Sequence, residues 1–164
     1  MSPLLDLPHA GRTRVRVSVN AEEVAGRFEG GTARLRGRLG ALRALPKRST
    51  GWASPSRRSC PVPGWREGYA AVLRDVAAAF GDVPDVDLTV ECITHRFTPA
   101  SKDVLLGWYP RTRLEMDESA RSRKFGRFGS TKFVYPTETM AELRDWFEAE
   151  VERTLPAARI LYWT

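Results

Sequence analysis

The sequence predicts an α/β fold, because strand-like and helix-like segments alternate along most of its length. Strands are indicated by apolar residues that run together or alternate with period two, at 14–20, 86–94 and 158–164. Helices are indicated by apolar residues that recur every three or four positions, at 32–45, 65–80, 100–108 and 137–154. This order favours parallel strands joined by crossover helices, in a single domain that spans 1–164.

The first predicted strand, 14–20, alternates polar residues with valines, which gives it one apolar face. Ser18 lies on the polar face together with Arg14 and Arg16. Two interpretations remain open for that face. Its side chains are functional if they line an active-site lumen, and they serve only solubility if they point to solvent, which is the simpler expectation for an isolated strand.

The charge balance favours a polyanionic partner. Twenty-six Lys and Arg against 20 Asp and Glu give a net charge of +6, although a high-GC genome also enriches arginine. No apolar run is long enough to cross a bilayer and no signal peptide is visible, so we expect a cytoplasmic protein without a membrane partner. Cys60 and Cys92 lack any CxxC spacing, which argues against a metal site built from this chain alone.

One stretch, 46–60, interrupts the alternation of strands and helices. A third strand is expected there, but the residues PKRSTGWASPSRRSC have the composition of a loop and no apolar period. They are either a flexible basic loop or residues translated out of frame.

The genetic code makes the second interpretation explicit. The reading frame can be moved so that each new codon takes its last two bases from the codon of the residue shown. Five positions then have uracil as their middle base, which is typical of codons for apolar residues. With permitted codons the shifted string reads AEAEHGLGLTIAPIM, a helix end followed by an alternating strand, which would restore the missing element.

Several motifs resemble the spore photoproduct lyase family, in the family's order. The most specific of them occupy 93–98 (ITHRFT), 108–118 (WYPRTRLEMDE), 124–135 (KFGRFGSTKFVY) and 160–164 (ILYWT). Residues 11–20 and 63–69 resemble the family as well. The window 46–60 does not, whereas its shifted reading does.

The resemblance implies the C-terminal part of an incomplete TIM-type (β/α)6 barrel with a basic β-hairpin. Members carry a 4Fe-4S cluster on a CxxxCxxC loop in their N-terminal half. The cluster cleaves S-adenosylmethionine to a 5′-deoxyadenosyl radical, which abstracts hydrogen from a UV-induced thymine dimer and lets it revert to two thymines. These 164 residues contain no CxxxCxxC, and the family's hydrogen-donating cysteine and its tyrosine partners are absent too, so no lyase activity is expected from this chain by itself.

Two roles follow from the resemblance residue by residue. Ser18 matches a serine that approaches S-adenosylmethionine. Arg127 and Phe128 match an arginine–aromatic pair on a hairpin, within 121–135 here, that wedges into duplex DNA where the lesion is extruded.

Physical chemistry supports the second role separately. Bases removed from a stack leave a gap that an arginine plane and an aromatic ring can fill. Nearby cations would hold phosphates, and the sequence offers Arg121, Arg123, Lys124 and Lys132. An exposed charged hairpin without a ligand is the alternative. His95 ends a predicted strand, but the sequence assigns it no role.

The sequence therefore suggests a DNA-binding part of a radical S-adenosylmethionine lyase, with double-stranded DNA as partner. A separately encoded N-terminal half would be its second partner. Two alternatives remain, a DNA-binding module without catalysis and the decayed product of a disrupted gene. A CxxxCxxC-bearing reading frame immediately upstream would favour the first hypothesis over both.

Overall fold

Nine helices and strands make up the part of the chain that the structure describes. The computed structural model describes residue 8 and residues 14–44, 61–126 and 129–164. In chain order the elements are α1 (Glu22–Phe28), α2 (Leu35–Arg43), α3 (Trp65–Phe80), β1 (Thr89–Cys92), α4 (Pro99–Trp108), β2 (Ser122–Phe125), β3 (Thr131–Val134), α5 (Thr137–Thr154) and β4 (Arg159–Trp163).

The strands form two separate pairs. β1 and β4 are parallel, with Thr89 opposite Arg159 and Cys92 opposite Trp163. The chain between them passes through α4, β2, β3 and α5, so a long crossover joins the two strands, as parallel pairing requires. β2 and β3 are antiparallel neighbours and form the hairpin, 122–134. This arrangement confirms the predicted α/β class.

The main core lies between the β1–β4 sheet and the helices that cover it. Helix α3 has a stripe of apolar side chains at helical spacing, and its members Val72, Leu73 and Val76 are buried against Val90 of β1. α5 adds Val151 to the same cluster. Burial of these apolar surfaces supplies the main stabilisation of the fold.

Most predicted elements are present, and two of them match at both ends. α3 and α5 occupy the predicted ranges 65–80 and 137–154. α4 begins one residue before the predicted start, because Thr98 caps it: the Thr98 hydroxyl accepts from the Ser101 backbone N–H at 3.1 Å and the Ser101 hydroxyl accepts from the Thr98 N–H. No helix in the described ranges is long and apolar enough to span a bilayer.

The predicted strand at 14–20 is wrong as a strand. Only isolated bridge positions occur there, at Val15 and Ser18, and no ladder runs along the segment. The alternation of burial is nevertheless real, because Arg14, Arg16 and Ser18 are exposed while Val19 is buried. Among the described residues, the segment contacts β1 through arginine side chains: Arg14 donates to the Thr89 hydroxyl at 3.2 Å, and Arg16 lies 2.9 Å from Glu91. Period two therefore identified the faces but not the hydrogen bonding.

Helix α1, Glu22–Phe28, has no counterpart among the elements predicted from sequence. With seven residues and one buried side chain, Val24, it carries too little apolar period to be recognised. The window 46–60, predicted to be an aberrant loop, lies outside the described residues.

The hairpin is joined to the chain segment that follows β1. Phe97 and Phe133 exchange two backbone hydrogen bonds, of 3.1 and 2.8 Å, and their rings stack with centroids 5.3 Å apart. Phe97, Leu114, Met116 and Phe133 form a small buried cluster beneath β3. The base of the hairpin is thus fixed to the end of the sheet.

Candidate functional site

The hairpin presents cations on its surface. Its register places Lys124 directly opposite Lys132, and Arg123 opposite Phe133. All three cationic side chains are exposed. Over the described ranges, none of the three takes part in an ion pair. These positively charged groups are therefore available to a negatively charged ligand.

The opposed lysines carry an energetic cost. Residues directly opposite on antiparallel strands share a face, with Cβ atoms roughly 5 Å apart, and like charges there destabilise the pair. A hairpin that kept both lysines only for solubility would gain by replacing one of them. A bound anion such as a phosphate would remove the repulsion between Lys124 and Lys132.

The end of the hairpin is built on two glycines. The Gly126 N–H donates to the Ser130 carbonyl at 2.7 Å, and a Cβ on Gly126 would lie 2.5 Å from the Ser130 hydroxyl. Gly129 has φ +74°, a conformation that favours glycine. Next to this turn, the Phe125 ring is 77% exposed. Arg127 and Phe128, the predicted wedge, lie outside the described residues.

Arg121 does not join the surface cations, contrary to the expectation from sequence. Its side chain is 1% exposed and pairs with Glu115. It also donates to the His95 carbonyl at 3.0 Å and lies over the Tyr135 ring, 3.7 Å from the centroid. Arg121 is therefore an anchor between the end of the sheet and the start of β2.

His95 acquires a structural position that the sequence did not indicate. The residue is buried, its Nδ1 lies 3.3 Å from the Arg121 guanidinium, and its ring stacks on Phe97 at 5.8 Å. Because the guanidinium has only N–H donors, His95 accepts at Nδ1 in this arrangement. It supports the base of the hairpin.

Ser18, the predicted cofactor contact, lies beside a group of hydrogen-bonded polar side chains. The residue is exposed, and its carbonyl accepts from the Arg38 guanidinium at 2.6 Å. Arg38 also pairs with Glu29 at 2.8 Å. Asn20 donates to Glu29 at 3.2 Å and accepts from the Tyr69 hydroxyl at 2.7 Å. These bonds hold the Ser18 carbonyl and the Asn20 side chain that follows it.

Sequence reasoning missed a buried carboxylate beside this segment. Glu91 on β1 is 3% exposed; Arg16 lies 2.9 Å from its Oε1, and the Tyr162 hydroxyl donates to its Oε2 at 2.8 Å. The hydrogen bond to Glu91 raises the pKa of Tyr162, as does its partial desolvation. The only signal in the sequence was an acidic residue between Val90 and Cys92 in an apolar run.

The residues present do not fit the iron–sulfur cluster that the resemblance implies. Cys92 is buried, and burial raises the pKa of its thiol to about 12, so the thiolate needed for ligation is disfavoured. In the part of the chain that the structure describes, no three His, Cys, Asp or Glu residues group together as metal ligands would. Cys60 lies outside that part.

Comparison with known proteins places the whole chain in one family. The family model described as Spore photoproduct lyase matches residues 1–164. A spore photoproduct lyase of Geobacillus sp. (strain Y412MC61) is 37% identical over 98% of this chain. The spore photoproduct lyase of Bacillus subtilis (strain 168) is also 37% identical over 98% of it. The chain spans 47% of each of these relatives, about half their length.

Solved structures agree with this comparison. A spore photoproduct lyase complexed with dinucleoside spore photoproduct has a TM-score of 0.92 and 37% identity, over 99% of this chain and 48% of that one. A mutant with bound AdoMet and dinucleoside spore photoproduct has a TM-score of 0.90, with the same identity and coverage. Sequence and structure therefore lead to one conclusion, that this chain belongs to the spore photoproduct lyase family.

Proposed function

We propose that this chain is the C-terminal, DNA-binding part of a spore photoproduct lyase-like radical S-adenosylmethionine enzyme, which reverts UV-induced thymine dimers. In this proposal the chain alone is inactive and its partner is double-stranded DNA. Support comes from the family match, which covers about half the length of the relatives, and from the bound photoproduct in a related structure.

The cationic surface of the hairpin carries the DNA-binding part of the proposal. Lys124 and Lys132 repel one another across the strands, and Arg123 is exposed nearby. Phosphates of a duplex would neutralise the lysines and release condensed counterions. Arg127 and Phe128 would then enter the duplex at the turn, filling the space left by extruded bases.

Duplex binding at several salt concentrations tests the hairpin surface. We expect weak binding whose affinity falls as salt rises, and Lys124→Ala and Lys132→Ala should each weaken binding to all duplexes and reduce the salt slope by about one. Arg36→Ala, which removes one exposed charge from α2, is the control. If both lysine variants bind like wild type, the proposal fails.

The wedge is tested with intact and distorted duplexes. Arg127→Ala should weaken binding by about 1–3 kcal/mol and abolish any preference for a duplex with an unstacked site. Lys132→Ala should leave that preference in place. Equal preference in wild type and the Arg127 variant would reduce the hairpin to a generic basic surface.

The cofactor part of the proposal concerns Ser18 and a partial barrel. In an incomplete (β/α)6 barrel, Ser18 would approach S-adenosylmethionine from one strand position while the cluster is held by a separately encoded N-terminal half. We expect Ser18→Ala to weaken S-adenosylmethionine binding in the complex of the two halves. Unchanged binding in that complex would exclude Ser18 from the cofactor site.

Inactivity of the chain alone has a direct test. After reconstitution with iron and sulfide, we expect no cluster absorbance and no cleavage of S-adenosylmethionine, because two separated cysteines cannot replace three thiolates on one loop. A cluster spectrum with stoichiometric iron would contradict this. The buried thiol of Cys92 also favours a second candidate, a DNA-binding module without catalysis, over an enzyme complete in this chain.

The window 46–60 belongs to the proposal as residues translated out of frame. Its shifted reading resembles the family, whereas the residues present do not. The nucleotide sequence of the gene decides the matter. A shifted frame that does not encode a string close to AEAEHGLGLTIAPIM would leave a basic loop.

A further inference from the structure

A cavity between the ends of α1 and α4 is not used by the proposed hairpin contacts. Its volume is about 660 Å³, and its lining includes Arg27, Phe28, Leu105, Trp108, Tyr109 and Arg111. Trp108 is 76% exposed and Tyr109 is 62% exposed. Adjacent aromatic rings that are exposed in this way are typical of interaction surfaces.

The cavity has the charge of a site for an anion. Two arginines line it, and no Asp or Glu is among the described residues that do so. Arg27 pairs with Glu23 at 2.6 Å, but both side chains are about half exposed, so water weakens that pair and an anion can compete for the arginine. In the described ranges Arg111 has no ion-pair partner.

Local hydrogen bonds fix the backbone that carries Trp108, Tyr109 and Arg111. Trp108 is the last residue of α4, and Tyr109 follows as its C-cap, with its N–H bonded to the Leu105 carbonyl at 2.8 Å. The Thr112 N–H donates to the Tyr109 carbonyl at 2.9 Å, which closes a turn with Pro110 at its second position. Arg111 is therefore carried by a fixed turn beside the rings.

A continuous set of contacts links the cavity to the hairpin. Arg123 lies 5.9 Å from the centroid of the Phe133 ring, and Phe133 belongs to the buried cluster beneath β3. Phe28 and Leu105 pack against that same cluster and also line the cavity. The cavity and the hairpin are therefore supported by the same buried cluster.

We propose that the cavity binds one unstacked nucleotide of single-stranded DNA, with the base on Trp108 and Tyr109 and the phosphate on Arg111 and Arg27. The proposal rests on the proposed DNA-binding function and extends it to a second contact outside the hairpin. Stacking on aromatic rings tolerates any base, so the site takes nucleotides without sequence preference.

Oligothymidylate binding tests the cavity, followed by fluorescence anisotropy of the full 164-residue chain. Trp108→Ala should raise Kd about tenfold, because a base–aromatic stack is lost. Arg111→Gln should reduce the salt slope by about 0.7 for a single strand. Trp108→Phe, which keeps a ring, should bind more tightly than Trp108→Ala.

Matched controls come from the same two segments. Val104 is 54% exposed on α4, and Arg113 is exposed two residues after Arg111; neither lines the cavity. Val104→Ala and Arg113→Gln should bind oligothymidylate like wild type. Because Trp108 is mostly exposed, its truncation removes little buried area, and circular dichroism should show an unchanged fold.

The outcomes separate this inference from the proposed function. If Trp108→Ala binds like wild type, if Val104→Ala is equally weakened, or if the wild type does not bind oligothymidylate at low salt, the cavity site is excluded. Loss of binding in Trp108→Ala with unchanged duplex binding by the lysine variants would instead retain the cavity and reject the hairpin. The converse pattern would retain the hairpin alone.

Discussion

The β1–β4 sheet and the hairpin differ in the burial and the ion pairing of their charged residues. On the sheet, Glu91 of β1 is buried between Arg16 and Tyr162. On the hairpin, Lys124 and Lys132 face each other in water with no ion-pair partner among the described residues. The charge of Glu91 is thus neutralised within the fold, whereas the hairpin lysines are exposed and, in the described part of the chain, without an ion-pair partner.

Arg121 marks the boundary between these two regions. Arg121 immediately precedes β2 and belongs to a run of basic residues that the sequence does not distinguish. Its side chain is nevertheless buried, paired with Glu115 and bonded to the His95 carbonyl. Neighbouring residues of one chemical type therefore have different roles, and the number of cations in a segment does not give the number available for binding. Substitution of Arg121 should therefore lower stability, whereas substitution of the exposed hairpin cations should lower DNA binding.

The largest effect is expected at Arg121. Arg121→Ala removes hydrogen bonds from a charged group, a stacked contact with Tyr135 and the packing of a long buried side chain, so the free energy of unfolding should fall by about 3 kcal/mol. Urea denaturation measures it. Arg123→Ala, the exposed neighbour, should change it by about 0.5 kcal/mol or less. Equal losses of unfolding free energy in both variants would show that Arg121 contributes no more to the fold than Arg123 does.

A smaller loss is expected on the sheet side. Arg16→Met leaves the buried Glu91 with Tyr162 as its remaining partner among the described residues. We expect a loss of about 2 kcal/mol in the free energy of unfolding, less than for fully buried pairs because Arg16 is half exposed. Glu91→Gln in the same chain should recover part of this loss, since the unpaired charge is gone. A double variant as unstable as the sum of the single changes would show that the pair is not coupled.

Alkaline titration examines the same cluster. The pKa of Tyr162 is raised, so its contribution to stability is complete below the ordinary tyrosine pKa near 10 and is lost as the pH rises through the higher value of the folded state. Tyr162→Phe should therefore lose less stability than wild type between neutral and alkaline pH. If both proteins lose the same stability at alkaline pH, a group other than Tyr162 causes that loss.

The turn of the hairpin should respond more mildly. Gly129 has φ +74°, so Gly129→Ala should cost about 1 kcal/mol through backbone strain. Gly30 is the control, since a Cβ there meets nothing within 4 Å and its φ is not positive. If Gly30→Ala and Gly129→Ala unfold at the same urea concentration, the turn does not require the left-handed conformation.

The elements that the sequence predicted best are those that bury a long periodic stripe. α3 and α5 have several turns of apolar spacing, so their ranges follow from the pattern. Segment 14–20 shows what such a pattern cannot predict. Alternation indicates which face is buried, but it does not indicate whether a neighbouring strand supplies hydrogen bonds. α1 is too short to show a period.

The site was predicted less completely than the fold. Local composition predicted a basic hairpin with glycines at its turn, and in the structure Lys124 and Lys132 lie exposed on β2 and β3. Their role in DNA binding stays a prediction. The burial of Arg121, the position of His95 and the pair of Arg16 with Glu91 depend on contacts between residues distant in the chain. No local pattern encodes such contacts, so the sequence could not reveal them.

The smallest stability effect is also the sharpest test of the division between the two regions. Lys124→Glu places opposite charges face to face on the hairpin, so the free energy of unfolding should rise by about 0.5 kcal/mol. The same change puts a carboxylate where a phosphate is proposed to bind, and duplex affinity should fall below that of Lys124→Ala. Stability and binding would then move in opposite directions at one residue, as expected where repulsion between cations is retained for a ligand. A variant that is less stable than wild type, or that binds duplex DNA equally well, would show that Lys124 belongs with the structural charges of the sheet.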